Sequence, residues 1–331
     1  MKIEHLLVIG VGVTLVALAG CARGPSAVTG TSDSAADATW VYGGEDIWIP
    51  VIDTLGRDFG KASQALKNKQ PIEASAALRD GAAFLEQGAE RVTPEGRVKM
   101  KAAAAKLTKL AETIDGDTPI SVDSFQSVMR EAYAVDVDYL WTIASVEEWM
   151  PHVQQVEDHL QAARDQLAAG NPQEVATELR KAAALLRLEA GRIGGNNRKT
   201  IEASWFEVRQ LGAKAQTGAL TDVTRLERVA ARTNQTLAQA HVNQARSLWD
   251  EHHSDQAAQL LGVAADEYER ALAWIGAQNE EFAKAGAENA QRLVYTIATS
   301  PTPPGKEIAA GFDQFDIAVV SLGKRLEPSQ S

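Results

Sequence analysis

Two stretches of this chain lie beside each other without a gap. QALKNKQPIEASAALRDGAAFL runs from Gln64 to Leu85, and DQLAAGNPQEVATELRKAAALL from Asp165 to Leu186. Leu66, Pro71, Glu73, Leu78, Ala82 and Leu85 match Leu167, Pro172, Glu174, Leu179, Ala183 and Leu186. A third copy pairs His159, Ala163, Arg164, Leu179 and Ala183 with His241, Ala245, Arg246, Leu261 and Ala265. A unit that recurs at this length and carries apolar residues three and four apart is a supersecondary element, and it limits the fold before any single residue is considered. Each copy reads as a helix, a tight turn and a second helix. The turns are Lys69-Gln70-Pro71, Gly170-Asn171-Pro172 and His252-His253-Ser254.

The rest of the chain follows the same period. Leu55, Phe59, Ala62 and Leu66 form one apolar stripe, and Val153, Val156, Leu160, Ala163 and Leu167 another. Start signals agree: Thr93-Pro94-Glu95 offers a cap followed by proline in the first turn, and Asn171-Pro172-Gln173-Glu174 offers a capping box. Alternation of the strand type is nearly absent. Breaks fall at Asp115-Gly116-Asp117, Gly194-Gly195-Asn196-Asn197 and Pro301-Thr302-Pro303-Pro304-Gly305. The expected fold is all-α: antiparallel helical hairpins packed as a bundle or an irregular repeat array. A helical-hairpin body is expected over 40–300, with a sub-boundary near 115–120, followed by a proline break and C-terminal helix over 301–331. In that last helix Phe312, Phe315, Ile317, Val320 and Leu322 are read as the apolar side.

The N-terminus has a different grammar. Lys2 precedes an apolar run from Leu6 to Ala19, then Gly20 and Cys21, the only cysteine of the 331 residues. This is the anatomy of a secretory signal over residues 1–20. The run is too short to span a bilayer, which needs about 20 apolar residues. Leu18-Ala19-Gly20-Cys21 resembles the bacterial lipobox. The resemblance implies cleavage before Cys21 and acylation of that cysteine, and Ala22 after it implies the outer membrane. An ordinary signal peptide preceding a buried cysteine is the other reading. With one thiol no intrachain disulfide can form, although an exported chain meets an oxidising compartment. Residues 21–39 are small, polar and aperiodic, a tether between the anchor and the body.

The hairpins resemble tetratricopeptide units, but the copies start 101 and 82 residues apart rather than about 34. Widely spaced hairpins with helical insertions also resemble the YfdX family of exported bacterial proteins. That resemblance implies a helical exported protein and carries no catalytic residue onto this chain.

Composition narrows the function. Lys and Arg total 33 against 44 Asp and Glu, a net charge of −11, which argues against nucleic acid as a partner because that binding relies on phosphate neutralisation. The sequence shows no G-x-S-x-G, no H-E-x-x-H and no phosphate-cradling lysine loop. Glu251, His252, His253 and Asp255 place two imidazoles among carboxylates in a turn, a candidate ligand set for zinc, copper or nickel. Trp40, Tyr42 and Trp48, with His159 and His241, form a candidate ligand or partner surface, or else close the end of the bundle. Trp141, Trp149, Trp205, Trp249 and Trp274 are expected in the core, or around a ligand groove. Arg97, Lys99, Lys101, Lys106 and Lys109 form a basic stretch, read as a solvated helix face or one that meets anionic lipid.

The expected role is a membrane-anchored cell-envelope lipoprotein, facing the periplasm, that binds or scaffolds an envelope protein partner without catalysis or a cofactor. A periplasmic metal- or small-molecule-binding protein is the alternative, and an enzyme with an unrecognised site the second.

Overall fold

The structure, a computed structural model, describes residues 39–116, 119–143, 146–193, 195–299 and 305–327. The expected signal sequence, Cys21, the expected tether as far as residue 38 and the prolines at 301–304 lie outside these residues. Among the described residues the fold is all-α: eleven helices and one short two-stranded sheet. The strands β1 (Trp40–Tyr42) and β2 (Trp48–Pro50) pair antiparallel, with Val41 opposite Ile49 and Tyr42 opposite Trp48. The sequence reading missed this hairpin. Its signal is aromatic and β-branched residues on either side of Gly43-Gly44.

The helices are α1 (Thr54–Lys67), α2 (Pro71–Gly88), α3 (Pro94–Asp115), α4 (Val122–Tyr139), α5 (Val146–Ala168), α6 (Pro172–Ile193), α7 (Gly195–Gln216), α8 (Val223–Asp250), α9 (Ser254–Trp274), α10 (Glu281–Thr299) and α11 (Gly305–Leu326). A 3₁₀ turn, Trp141–Ile143, follows α4. Several starts are capped as their sequences dictate. Asp53 accepts from the Gly56 amide and Thr93 from the Gly96 amide, satisfying donors that have no partner within the helix.

Each repeated segment is a hairpin: α1–α2, α5–α6 and α8–α9. Leu78, Leu179 and Leu261 sit on the second helix of each and are fully buried. The three turns share one hydrogen-bond pattern. Lys69 N donates to Leu66 O and Gln70 N to Ala65 O; Gly170 N donates to Leu167 O and Asn171 N to Gln166 O; His252 N donates to Trp249 O and His253 N to Leu248 O. That is the Schellman closure of a helix C-terminus, which needs a left-handed residue just past the end. Lys69, Gly170 and His252 supply it, with φ of 58°, 77° and 68°.

Two apolar cores fill the body. The first gathers residues of the β hairpin and α1 to α3 and ends on Phe125, Met129 and Ala132 of α4. The second starts at Val137 on the same helix and runs to Leu326. The handover therefore falls inside α4, beyond the break at 115–120, and the Tyr133 ring packs against both cores. Helix α11 packs against α8 and α10, through Ile308, Phe312, Phe315, Val319, Leu322 and Leu326. Ile317 and Val320, expected on that apolar side, face outward instead, because the buried stripe keeps a spacing of three and four that excludes them.

A left-handed backbone disfavours side chains, so the three turn positions should respond oppositely to substitution. His252→Gly should raise stability by up to about 1 kcal/mol, and Gly170→Ala, which meets no atom within 4 Å, should lower it by roughly 1–2 kcal/mol. Urea unfolding of the two variants measures both signs.

Candidate functional site

The four histidines singled out as candidate site residues, His159, His241, His252 and His253, occupy three different settings. His241, on α8, is fully buried. Its Nδ1 lies 2.7 Å from Glu267 Oε2 on α9, and its Nε2 lies 3.0 Å from Glu189 Oε1 on α6. Arg192, one turn beyond Glu189, donates to both of that carboxylate's oxygens and to Gln244 Oε1 at 2.9 Å. The Trp149 ring stacks on the imidazole at 5.5 Å, and the Arg192 guanidinium lies 3.5 Å from the centroid of the same ring. Burial alone would push the His241 pKa down; the Glu267 and Glu189 carboxylates outweigh it and hold the imidazolium up at about 9. Burial also pushes Glu189 up, but Arg192 and His241 hold it below the usual carboxylate value. His241 is therefore a structural cation, not part of a ligand or partner surface.

His159 occupies the equivalent place on α5 and also leans on a carboxylate of the next helix, with Nδ1 2.6 Å from Glu178 Oε2. In the first hairpin that place is taken by Asp58, which is buried and bridged to Lys61 at 3.0 Å. The three copies thus share a polar position on the first helix. Trp40 packs edge-on to His159 at 5.1 Å, while the Lys181 ammonium lies 5.8 Å from the Trp40 ring and 5.3 Å from that of Trp48. Tyr42 and Trp48 pair across the β hairpin at 5.3 Å. Four of the five residues expected at a candidate surface, Trp40, Tyr42, Trp48 and His159, therefore gather around the β hairpin.

The proposed metal turn does not assemble. Glu251, His252, His253 and Asp255 are all exposed, and no group of three or more His, Cys, Asp or Glu among the described residues is placed to hold an ion. His252 is at the turn for its backbone conformation, the same that Lys69 and Gly170 adopt. The basic stretch of α3 is largely neutralised as well: Lys99 pairs with Glu95, Arg97 and Lys101 with Glu90, and Lys106 with Glu131.

Next to the β hairpin lies a cavity of about 300 Å³. Three helices line it, each with one stripe. Arg130, Tyr133, Ala134, Val137 and Asp138 come from α4; Arg180, Ala183, Ala184, Arg187 and Leu188 from α6; Trp205, Arg209, Ala213 and Gln216 from α7. Residues three, four, seven and eight apart share a helix face, which explains why these and not their neighbours point inward. The loop Glu45–Trp48 closes the remaining side. In that loop Gly44, Glu45 and Asp46 are all left-handed, with φ of 78°, 50° and 61°. Non-glycine residues there are strained, and such strain persists only where surrounding contacts impose it. Here the contacts are two arginines. Arg130 donates to Gly43 O and pairs with Glu45 at 3.0 Å; Arg180 pairs with Asp46 at 3.0 Å and donates to Gln216 Oε1 at 2.6 Å.

Of this lining the sequence reading had singled out Trp48 and Trp205. It missed the four arginines, whose signal was present: each stripe sets an arginine at helical spacing from small or apolar residues, and the α6 stripe carries two, Arg180 and Arg187, seven apart.

The ionised His241 gives the fold a defined pH response. Its folded value, about 9, lies above the ordinary value of about 6.5, so its contribution is complete below about pH 6.5 and is lost as pH rises through about 9. His241→Gln should flatten the decline in unfolding free energy across that window. It should also cost about 3–5 kcal/mol at neutral pH, because Glu267 would stay buried without its cation. Urea unfolding of both proteins from about pH 6 to about pH 10 measures this.

Comparison with protein-family models, with curated proteins and with solved structures gives no match to this chain. Its functional reading therefore rests on the residues described above.

Proposed function

We propose that this chain is a cell-envelope binding protein, held to a membrane through an acylated Cys21, that takes a small molecule into the cavity between α4, α6, α7 and the β hairpin. The cavity is the observation that carries the reading. It combines an apolar wall with a set of charged groups, four of them arginines, and its volume of about 300 Å³ lies at the lower edge of the range ligand sites occupy. Its small walls matter. Ala134, Ala183, Ala184 and Ala213 leave open the space that larger side chains would fill at ordinary packing density.

Membrane attachment is supported by the lipobox-like Leu18-Ala19-Gly20-Cys21 and by the lone cysteine. Among the described residues no helix is long and apolar enough to cross a membrane. Several acyl chains, each methylene contributing about 0.8 kcal/mol, would give stable attachment. The binding reading is preferred to scaffolding because the α3 basic face is occupied by its own carboxylates and the C-terminal helix is packed back on the bundle.

Native mass spectrometry of the protein purified from detergent-solubilised membranes tests both parts. The wild type should carry acyl chains on Cys21 and a co-purified small molecule, and Ala184→Trp, which fills the cavity, should lose that molecule while keeping the acyl chains. An unacylated Cys21 would remove the anchor. Equal small-molecule content in both proteins, or none in either, would remove the cavity as the binding site.

A further inference from the structure

We infer that the ligand of this cavity is a small monoanion with a flat apolar body, its anionic group held between Arg187 and Arg209; the inference rests on the binding reading above. The charge inventory leads to it. The chain as a whole carries −11, yet four arginines line the cavity against three carboxylates, Glu45, Asp46 and Asp138. Two of the arginines are already satisfied. Arg130 and Arg180 keep only 18% and 14% of their side chains exposed and are paired with Glu45 and Asp46. A charge that far from water requires a partner, and the chain supplies it by holding two non-glycine residues in left-handed backbone.

No such provision is made for the other two. Among the described residues Arg187 and Arg209 have no carboxylate partner, and both are exposed at the cavity. They stand on adjacent helices, α6 and α7, and both line the same cavity. The guanidinium of Arg209 lies 5.7 Å from the centroid of the Trp205 ring, a placement that leaves its edge donors available for an acceptor. Arginine forks recognise carboxylate, sulfonate or phosphate oxygens by paired hydrogen bonds.

The remaining walls set the body and the charge of the ligand. Ala134, Val137, Ala183, Ala184 and Leu188 offer no hydrogen bonds from their side chains, and the flat indoles of Trp48 and Trp205 line the same space. The volume holds about ten water molecules at roughly 30 Å³ each, room for a bicyclic ring rather than a nucleotide or a peptide. Asp138, the third carboxylate, faces the same space and leaves a formal balance of one positive charge. A single negative charge completes that balance, while a dianion would meet Asp138 with charge to spare.

The test uses the full chain in lipid nanodiscs, with empty nanodiscs as reference, and three probes of one shape: 2-naphthoate, the neutral 2-naphthalenemethanol and the cationic 2-naphthylmethylammonium. Calorimetry should show naphthoate binding at least about tenfold tighter than the alcohol, with the ammonium weakest. In the double variant Arg187→Gln/Arg209→Gln naphthoate affinity should fall at least about tenfold while that of the alcohol stays within about twofold. Both side chains are exposed, so the variant should melt with the wild type, which circular dichroism checks. If the alcohol or the ammonium binds as tightly as naphthoate, or if naphthoate is indifferent to the double variant, the anion assignment is overturned and the cavity reading survives. If none of the three binds, both are overturned.

Discussion

A fully buried imidazolium held between two carboxylates sets the orientation of the helices around it. Moving an ion from water into the interior costs several kcal/mol even after relaxation, and only close pairing with hydrogen bonds to the remaining donors and acceptors offsets that. His241, Glu189, Glu267 and Arg192 meet this condition jointly, with Trp149 lying against both cations. The four come from three helices. Turning α6, α8 or α9 about its axis would therefore leave a charge unpaired. An apolar contact tolerates small rotations and re-packs; a buried ion pair does not.

The consequence for the cavity passes through α6. At 3.6 residues per turn, Ala182, Leu185, Leu186 and Glu189 share one side of that helix, and Arg180, Ala183, Ala184, Arg187 and Leu188 occupy the opposite side. Fixing Glu189 against His241 therefore fixes which side chains face the cavity. Helix α4 contributes the second wall and passes from one apolar core to the other between Ala132 and Val137. The cavity thus forms where two separately packed cores meet, and the strained Gly44-Glu45-Asp46 loop is held over it by arginines of those two helices.

Much of this fold can be read from the sequence, because the determinants of a hairpin are local. The apolar spacing, the gapless repeat and the proline that opens the second helix of the first two hairpins predict the helices and their pairing, and Leu78, Leu179 and Leu261 fall at equivalent buried positions. What the sequence hides is partnership over distance. Glu189 and Glu267 are separated from His241 by long helical stretches, and nothing in their neighbours marks them as its partners. The cavity is hidden for a related reason: each helix contributes an ordinary-looking stripe, and only packing brings the three together. The His252-His253 turn misled because residue type suggested chemistry where the position serves backbone geometry. Aligning Lys69 and Gly170 with His252 points to that geometry, since a lysine, a glycine and a histidine share no side-chain chemistry but can share a left-handed turn.

The protonation state of His241 is the quantity on which this account turns. Nitrogen-15 NMR of the histidine-labelled protein, with His241 assigned by the spectrum of His241→Gln, reads it directly among the six histidines of the chain. The account predicts an imidazole protonated on both nitrogens at neutral pH, titrating near pH 9. A His241 that is a neutral tautomer at neutral pH, titrating below its ordinary value of about 6.5, would contradict it.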